Sequence, residues 1–179
     1  MHSRQLTLDT DRLRLRTWRE DDRDAFAAMN AHPEVMRDYG GPISREDSDA
    51  KFDRYAGAFD VCGFGRWLIE TAAGDYLGYC GVMPAYPGHP LGDHHEIGWR
   101  LVRHAWGYGY ATEAARAALK DVFGRIGLDE VLAYTAPDNL RSQAVMARLN
   151  LERDPCLDFV AMNDLVGEWQ GLVWVARAA

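Results

Sequence analysis

Two glycines, Gly107 and Gly109, carry the strongest chemical signal in the chain. They follow the strand-patterned run His95-Glu96-Ile97-Gly98-Trp99-Arg100-Leu101-Val102. They precede a helix-patterned run in which Ala111, Ala114, Ala115, Ala118, Leu119, Val122 and Phe123 recur at helical spacing. A glycine turn between a strand and a helix aims several backbone N–H groups in one direction. The helix adds its unpaired first-turn amides and the positive end of its dipole. Such a concavity binds a phosphate or pyrophosphate. Two familiar phosphate loops do not fit. A Rossmann fingerprint needs a glycine three residues after Gly109, where Thr112 stands, and a Walker loop needs a lysine that this turn lacks. Asp93-His94-His95-Glu96 invites a metal reading, but adjacent strand residues point to opposite faces, so no metal ligand is assigned.

The remaining elements must position that turn. Leu6-Thr7-Leu8 and Leu13-Arg14-Leu15-Arg16 alternate as strands do. Helices are expected over Glu20–Met29, ended by His32-Pro33, and over Arg45–Phe59 after Pro42-Ile43-Ser44. Trp67–Glu70 and Tyr76–Val82 read as a hairpin through Ala73-Gly74-Asp75. Pro84–Asp93, with three prolines and two glycines, is a loop. Glu130–Thr135 follows as a strand, Pro137-Asp138-Asn139 as a turn and cap, and Leu140–Leu149 as a helix. Two late strands are expected near Leu157–Met162 and Leu172–Ala176. The fold class is mixed α/β, with helices flanking a central sheet.

The 179 residues predict one domain, 1–179, and 47% apolar side chains suffice for a core. A net charge of -7 repels phosphate backbones, so nucleic acid is not an expected partner. Cys62, Cys80 and Cys156 are odd in number and form no C-x-x-C pair, as in a reducing compartment. Met1–Thr10 holds no apolar core of a signal peptide, and no run reaches the roughly 18 apolar residues of a membrane helix. A soluble cytoplasmic protein with no membrane partner is expected.

Glu96-Ile97-Gly98-Trp99 followed by Trp106-Gly107-Tyr108-Gly109-Tyr110-Ala111-Thr112-Glu113-Ala114 resembles the acyl-CoA motif of the GNAT superfamily of N-acetyltransferases. The branch it resembles contains the Rim-type acetyltransferases of ribosomal-protein N-termini. Asn139-Leu140-Arg141-Ser142 is similar to that branch's N-x-x-S segment. His32-Pro33-Glu34-Val35-Met36 is similar to its early N-x-P-E-V-M segment, and Leu77-Gly78-Tyr79-Cys80-Gly81 to its third strand. These matches run in order along most of the chain. His104 stands where the wider motif often has Gln or Arg. Asn150-Leu151 replaces Gly-Phe after the N-x-x-S helix, but Asn tolerates the left-handed conformation that a helix end needs.

The resemblance implies a GNAT fold, whose central mixed sheet is splayed between the strand before the glycine turn and the strand after its helix. It implies acetyl-CoA as co-substrate and an amine as acceptor. Catalysis is then mainly positioning: an amine attacks the thioester, a base takes its proton, and the CoA thiolate leaves. Backbone groups of Leu101 and Val102 are implied to pair with the pantetheine arm, in a cofactor cleft that includes Trp106 and Thr112. N–H groups of Gly107, Tyr108, Gly109, Tyr110 and Ala111 are implied to hold the pyrophosphate. Asn139 and Ser142, at the cap and third position of the next helix, can face the cofactor, although capping alone also explains Asn139.

Glu96 is the candidate base, with an ordinary ion pair to Arg100 as the plainer reading. Ser142 is the candidate acid for the thiolate, and Tyr134 its rival. Met36-Arg37-Asp38-Tyr39 falls where the branch places acceptor residues. Trp99, Trp106, Trp169 and Trp174 read as packing aromatics. The expected activity is N-acetylation of a small-molecule amine. The alternatives are acetylation of a protein N-terminus and a non-catalytic acyl-CoA sensor. The expected assembly is a monomer or homodimer.

Overall fold

The computed structural model describes residues 6–163 and 167–178. Residues 1–5, the start of the segment without a signal-peptide pattern, lie outside it. Nine strands form a mixed sheet with four α-helices packed around it. β1 (Thr7–Asp9) and β2 (Leu13–Arg16) open the sheet, and α1 (Arg23–Asn30) and α2 (Arg45–Cys62) cover its first half. β3 (Arg66–Thr71), β4 (Tyr76–Pro84) and β5 (His95–Leu101) then run as an antiparallel meander. α3 (Tyr110–Asp121) crosses over to β6 (Glu130–Thr135), which is parallel to β5. α4 (Leu140–Arg148), β7 (Glu152–Arg153), β8 (Phe159–Asn163) and β9 (Gly167–Arg177) complete the chain. The order across the sheet is β1-β2-β3-β4-β5-β6-β9-β7, and β8 pairs with β9 off this path.

One junction matters most for function. β5 and β6 register at a single pair, Glu96 opposite Leu132, and then part. Every other junction carries two or more registered pairs. The sheet is therefore splayed between the strand before the glycine turn and the strand after its helix.

Four departures from the sequence reading have local causes. The first helix begins at Arg23, because Asp22 is taken up by Arg16 at 2.8 Å and by the Arg19 amide at 2.7 Å, which shapes Glu20–Asp22 into a 3-10 turn. Of the two glycines expected to end the glycine-turn helix, Gly124 is carried through in a π turn past Asp121, and Gly127 is the one that stops it. Leu157 lies in a 3-10 turn started by Pro155 and capped by Asp154, whose carboxylate accepts from the Cys156 amide at 3.0 Å. β7 is two residues long, too short for periodicity to mark. Asn150 behaves as its residue type allows, with φ of +55° directly after α4.

The main core lies between the sheet and α3. Leu15, Trp67, Ile69, Val82 and Ile97 pack against Ala114, Ala115 and Ala118, whose small side chains bring the helix close to the strands. A second, aromatic cluster joins Phe26 of α1 and Phe52 and Tyr55 of α2 to Tyr79 of β4. The three cysteines are free thiols. No helix among the described residues is long and apolar enough to cross a membrane.

Candidate active site

The glycine turn adopts the shape that its residues dictate. Gly107 and Gly109 have φ of +86° and +80°, a region that side-chain-bearing residues enter at a cost, and Gly109 is the N-cap of α3. The first bond of that helix runs from the Glu113 N–H to the Gly109 carbonyl at 3.1 Å, and the amides before it are the donors a helix start leaves unpaired. The β1–β2 turn braces this loop from behind. Arg12 donates to the Tyr108 carbonyl at 2.8 Å and to Glu113 at 2.7 Å, and Thr10 donates to Glu113 at 2.7 Å. In front lies a cleft of about 570 Å³.

Leu101, Trp106, Gly107, Tyr108, Gly109, Tyr110, Ala111, Thr112, Asn139 and Ser142 all line that cleft, and Val102 does not. The Val102 N–H is spent on the Leu77 carbonyl at 3.0 Å, and the Leu101 carbonyl accepts the Trp106 indole N–H at 3.0 Å. The buried Thr112 hydroxyl has no partner among the described residues and sits on the cleft wall. Arg141 and Arg148 of α4 add positive charge, Arg141 lying 3.8 Å from the Trp106 ring centre. Positive-φ glycines, free helix-start amides, an unpartnered hydroxyl and two arginines fit a molecule with a pyrophosphate and a long arm.

A second cavity of about 450 Å³ adjoins the first. The two share five residues, Asp38, Trp99, Arg100, Asn139 and Ser142. Glu96 and Tyr134 line the second cavity alone. Glu96 is paired with Arg66 of β3, two strands away, rather than with Arg100. The reason is strand geometry: residues four apart on one strand are roughly 13 Å apart, however well they share a face. Arg66 reaches across at Gly81 and Gly98, donating to the Gly81 carbonyl and to the Glu96 carbonyl at 3.2 Å. A Cβ at position 98 would stand 2.9 Å from the Arg66 guanidinium, so the glycine makes room for the pair. Arg100 binds Asp38 instead, at 2.7 and 3.1 Å.

Asn139 caps α4, its side-chain oxygen accepting from the Ser142 N–H at 3.2 Å, so the capping role is real and the Ser142 hydroxyl takes no part in it. Burial first, and the Glu96 charge second, push the Tyr134 hydroxyl well above the usual phenol range. Tyr79 shows the opposite. Burial alone would raise it, but Lys51, Arg100 and Arg66, with a hydrogen bond from Tyr55, outweigh burial and lower it. Asp38 and Tyr39 line this cavity, while Met36 is core and Arg37 points away. Trp99, Trp106 and Trp169 line cavities rather than merely packing, and Trp174 lies under Arg153.

Three residues of the site carried no motif. Arg66 stands just before the expected strand Trp67–Glu70, and neither it nor Arg12 carries a local signal. Lys51 stands in register with Tyr55 and Phe59 on the apolar stripe of α2, an irregular place for a lysine.

Residues 12–152 match the acetyltransferase (GNAT) domain, and the chain belongs to that family. Its members are acetyl-CoA-dependent N-acetyltransferases, and the splayed mixed sheet is their fold. The chain is 32% identical over 154 residues to FsC-acetyl coenzyme A-N(2)-transacetylase of Aspergillus fumigatus, a match covering 82% of this chain and 65% of that protein. The chain thus spans just under two thirds of that relative's length. The crystal structure of the acetyltransferase from Agrobacterium tumefaciens str. C58 superposes with a TM-score of 0.82 at 27% identity, covering 99% of this chain and 98% of that one. RimL, a ribosomal L7/L12 alpha-N-protein acetyltransferase, shares the fold with a TM-score of 0.76 at 15% identity, over 97% of this chain and 95% of its own.

Proposed function

We propose that this protein transfers the acetyl group of acetyl-CoA to the primary amine of a small molecule, in the cytoplasm. The observation that carries the reading is the shared wall of the two cavities, where Ser142 borders both and Glu96 only the second. When bound, acetyl-CoA supplies an activated thioester carbonyl. The amides from Gly107 to Ala111 and the Thr112 hydroxyl hold its pyrophosphate, and Arg141 and Arg148 meet its outer phosphate charge. The parting of β5 from β6 opens the path for its arm.

Glu96 takes the proton released when the amine attacks, directly or through one water. Arg66 holds the carboxylate in place. Ser142 offers a hydroxyl to the departing thiolate, and its free hydroxyl at the junction supports it over Tyr134, which borders the acceptor side alone and is raised beyond easy proton loss. A volume of about 450 Å³ lies in the range that encloses a small ligand, which favours a small amine over a peptide.

Two measurements test this. Acetyl-CoA at a hundredfold excess over Kd should stabilise the fold by about 2.7 kcal/mol, raising Tm by several degrees, with NAD and ATP doing less. A thiol-release screen with acetyl-CoA should show turnover on small amines in preference to N-terminal peptides. No Tm shift at millimolar acetyl-CoA removes the co-substrate, and preference for the peptides moves the acceptor to a protein.

A further inference from the structure

The acceptor cavity has a charge that the protein as a whole does not. The chain carries -7, yet the cavity wall presents four cations, Lys51, Arg54, Arg66 and Arg100, against two carboxylates, Asp38 and Glu96. The carboxylates are already committed, Glu96 to Arg66 and Asp38 to Arg100. Lys51 and Arg54 have no ion pair among the described residues. Lys51 is only 8% exposed, and its ammonium rests 4.8, 5.6 and 5.8 Å from the rings of Tyr39, Tyr79 and Tyr55. Ring faces compensate a buried ammonium only in part, and a buried charge without a counter-ion is costly. The same cations, Lys51 first, lower the Tyr79 hydroxyl against the effect of its burial.

Part of the same cavity wall is aromatic. His89 stacks edge-on against Phe159 at 4.7 Å, Tyr134 against Phe159 at 5.3 Å, and Trp169 lies 5.6 Å beyond Phe159. Glu96 lines the same cavity, its charge acting on both Arg66 and Tyr134.

We infer that the acceptor is an α-amino acid with an aromatic or large apolar side chain, whose carboxylate is held by Lys51 with Arg54 at the rim. The inference rests on the acetyltransferase reading above and adds the acceptor's class to it. The unpaired ammonium of Lys51 suits one carboxylate, the aromatic residues suit the side chain, and Glu96 on the same cavity meets the amine.

The test uses the full chain with saturating acetyl-CoA and four acceptors: phenylalanine, phenylalaninamide, phenethylamine and spermidine. Corrected for free-amine fraction, kcat/KM for phenylalanine should exceed that for each of the others by about tenfold or more, since a site built for a charged group rejects analogues lacking it. Lys51→Met should raise KM for phenylalanine by about tenfold or more and abolish the preference over the amide, with CoA affinity unchanged by calorimetry. Arg54→Gln, at an exposed position, should give a smaller rise in KM with the fold intact. Equal or better use of phenethylamine or the amide by the wild type overturns the inference while leaving acetyl transfer standing. So does an undiminished preference in a folded Lys51→Met. If CoA binds and no acceptor in the set is acetylated, the small-molecule reading fails and takes this inference with it. If CoA does not bind, the acetyltransferase reading itself fails.

Discussion

The Arg66 guanidinium donates to the Glu96 carboxylate across the intervening β4, so the carboxylate of the acceptor cavity is held by a buried cation. This pairing fixes the direction of the Glu96 side chain.

Glu96→Gln should lower kcat/KM by roughly a hundredfold to ten-thousandfold, the size of general-base effects. The loss should be greatest below the amine's pKa and shrink as pH rises, since solvent then takes up the released proton more readily. The measurement is a pH–rate profile over about pH 6 to 9. Wild-type activity throughout would make Glu96 a structural carboxylate.

The glycine turn should be intolerant of side chains. Gly109→Val places a branched residue at φ +80°, a conformation that costs on the order of 1–3 kcal/mol, and fills space beside the amides. CoA affinity by titration calorimetry should drop by about tenfold or more. Arg12→Met, which frees the Tyr108 carbonyl, should weaken CoA binding severalfold without touching the cleft wall. Unchanged affinity in both variants would contradict the phosphate cradle.

Ser142 and Asn139 should separate cleanly. Ser142 contributes its backbone N–H to the cap, so Ser142→Ala preserves α4. It should cut kcat by on the order of tenfold to a hundredfold with CoA affinity intact. Asn139→Ala removes the cap acceptor and should cost about 1 kcal/mol of stability, read as a fall in Tm. Equal kcat in Ser142→Ala and the wild type would pass the acid role to Tyr134.

His89, buried against Phe159 and Tyr134, is lowered from an ordinary 6.5 to about 4, by burial first and by His94 second. Between those values the unfolded chain binds a proton that the folded chain refuses, so stability falls as pH drops from about 6.5 towards 4. His95 is lowered for the same reasons and acts in the same direction. Thermal melts should show Tm declining from neutral to mildly acidic pH. His89→Phe should flatten part of that decline, and an unchanged slope would deny His89 its role.

What the sequence determined by itself was set within a few residues of each position. The positive φ of Gly107 and Gly109 follows from glycine's freedom, the Asn139 cap from a side chain bonding three residues on, and the left-handed Asn150 from its residue type. Strand alternation and helical spacing located every α-helix and every strand except β7, because a two-residue strand has no period. The splay was legible only through resemblance.

Which charges meet was decided by the tertiary structure alone. Glu96 and Arg100 share a face and look like partners on paper, yet strand rise holds them apart and the meander delivers Arg66 instead. Arg12 reaches Glu113 and Tyr108 across about a hundred residues of sequence, and Lys51 meets Tyr79 only because α2 packs on β4. An ion pair depends on where two backbones pass each other, which no local pattern encodes. For that reason the shape of the glycine turn could be read from the chain, while the charge pairing of the second cavity had to be seen folded.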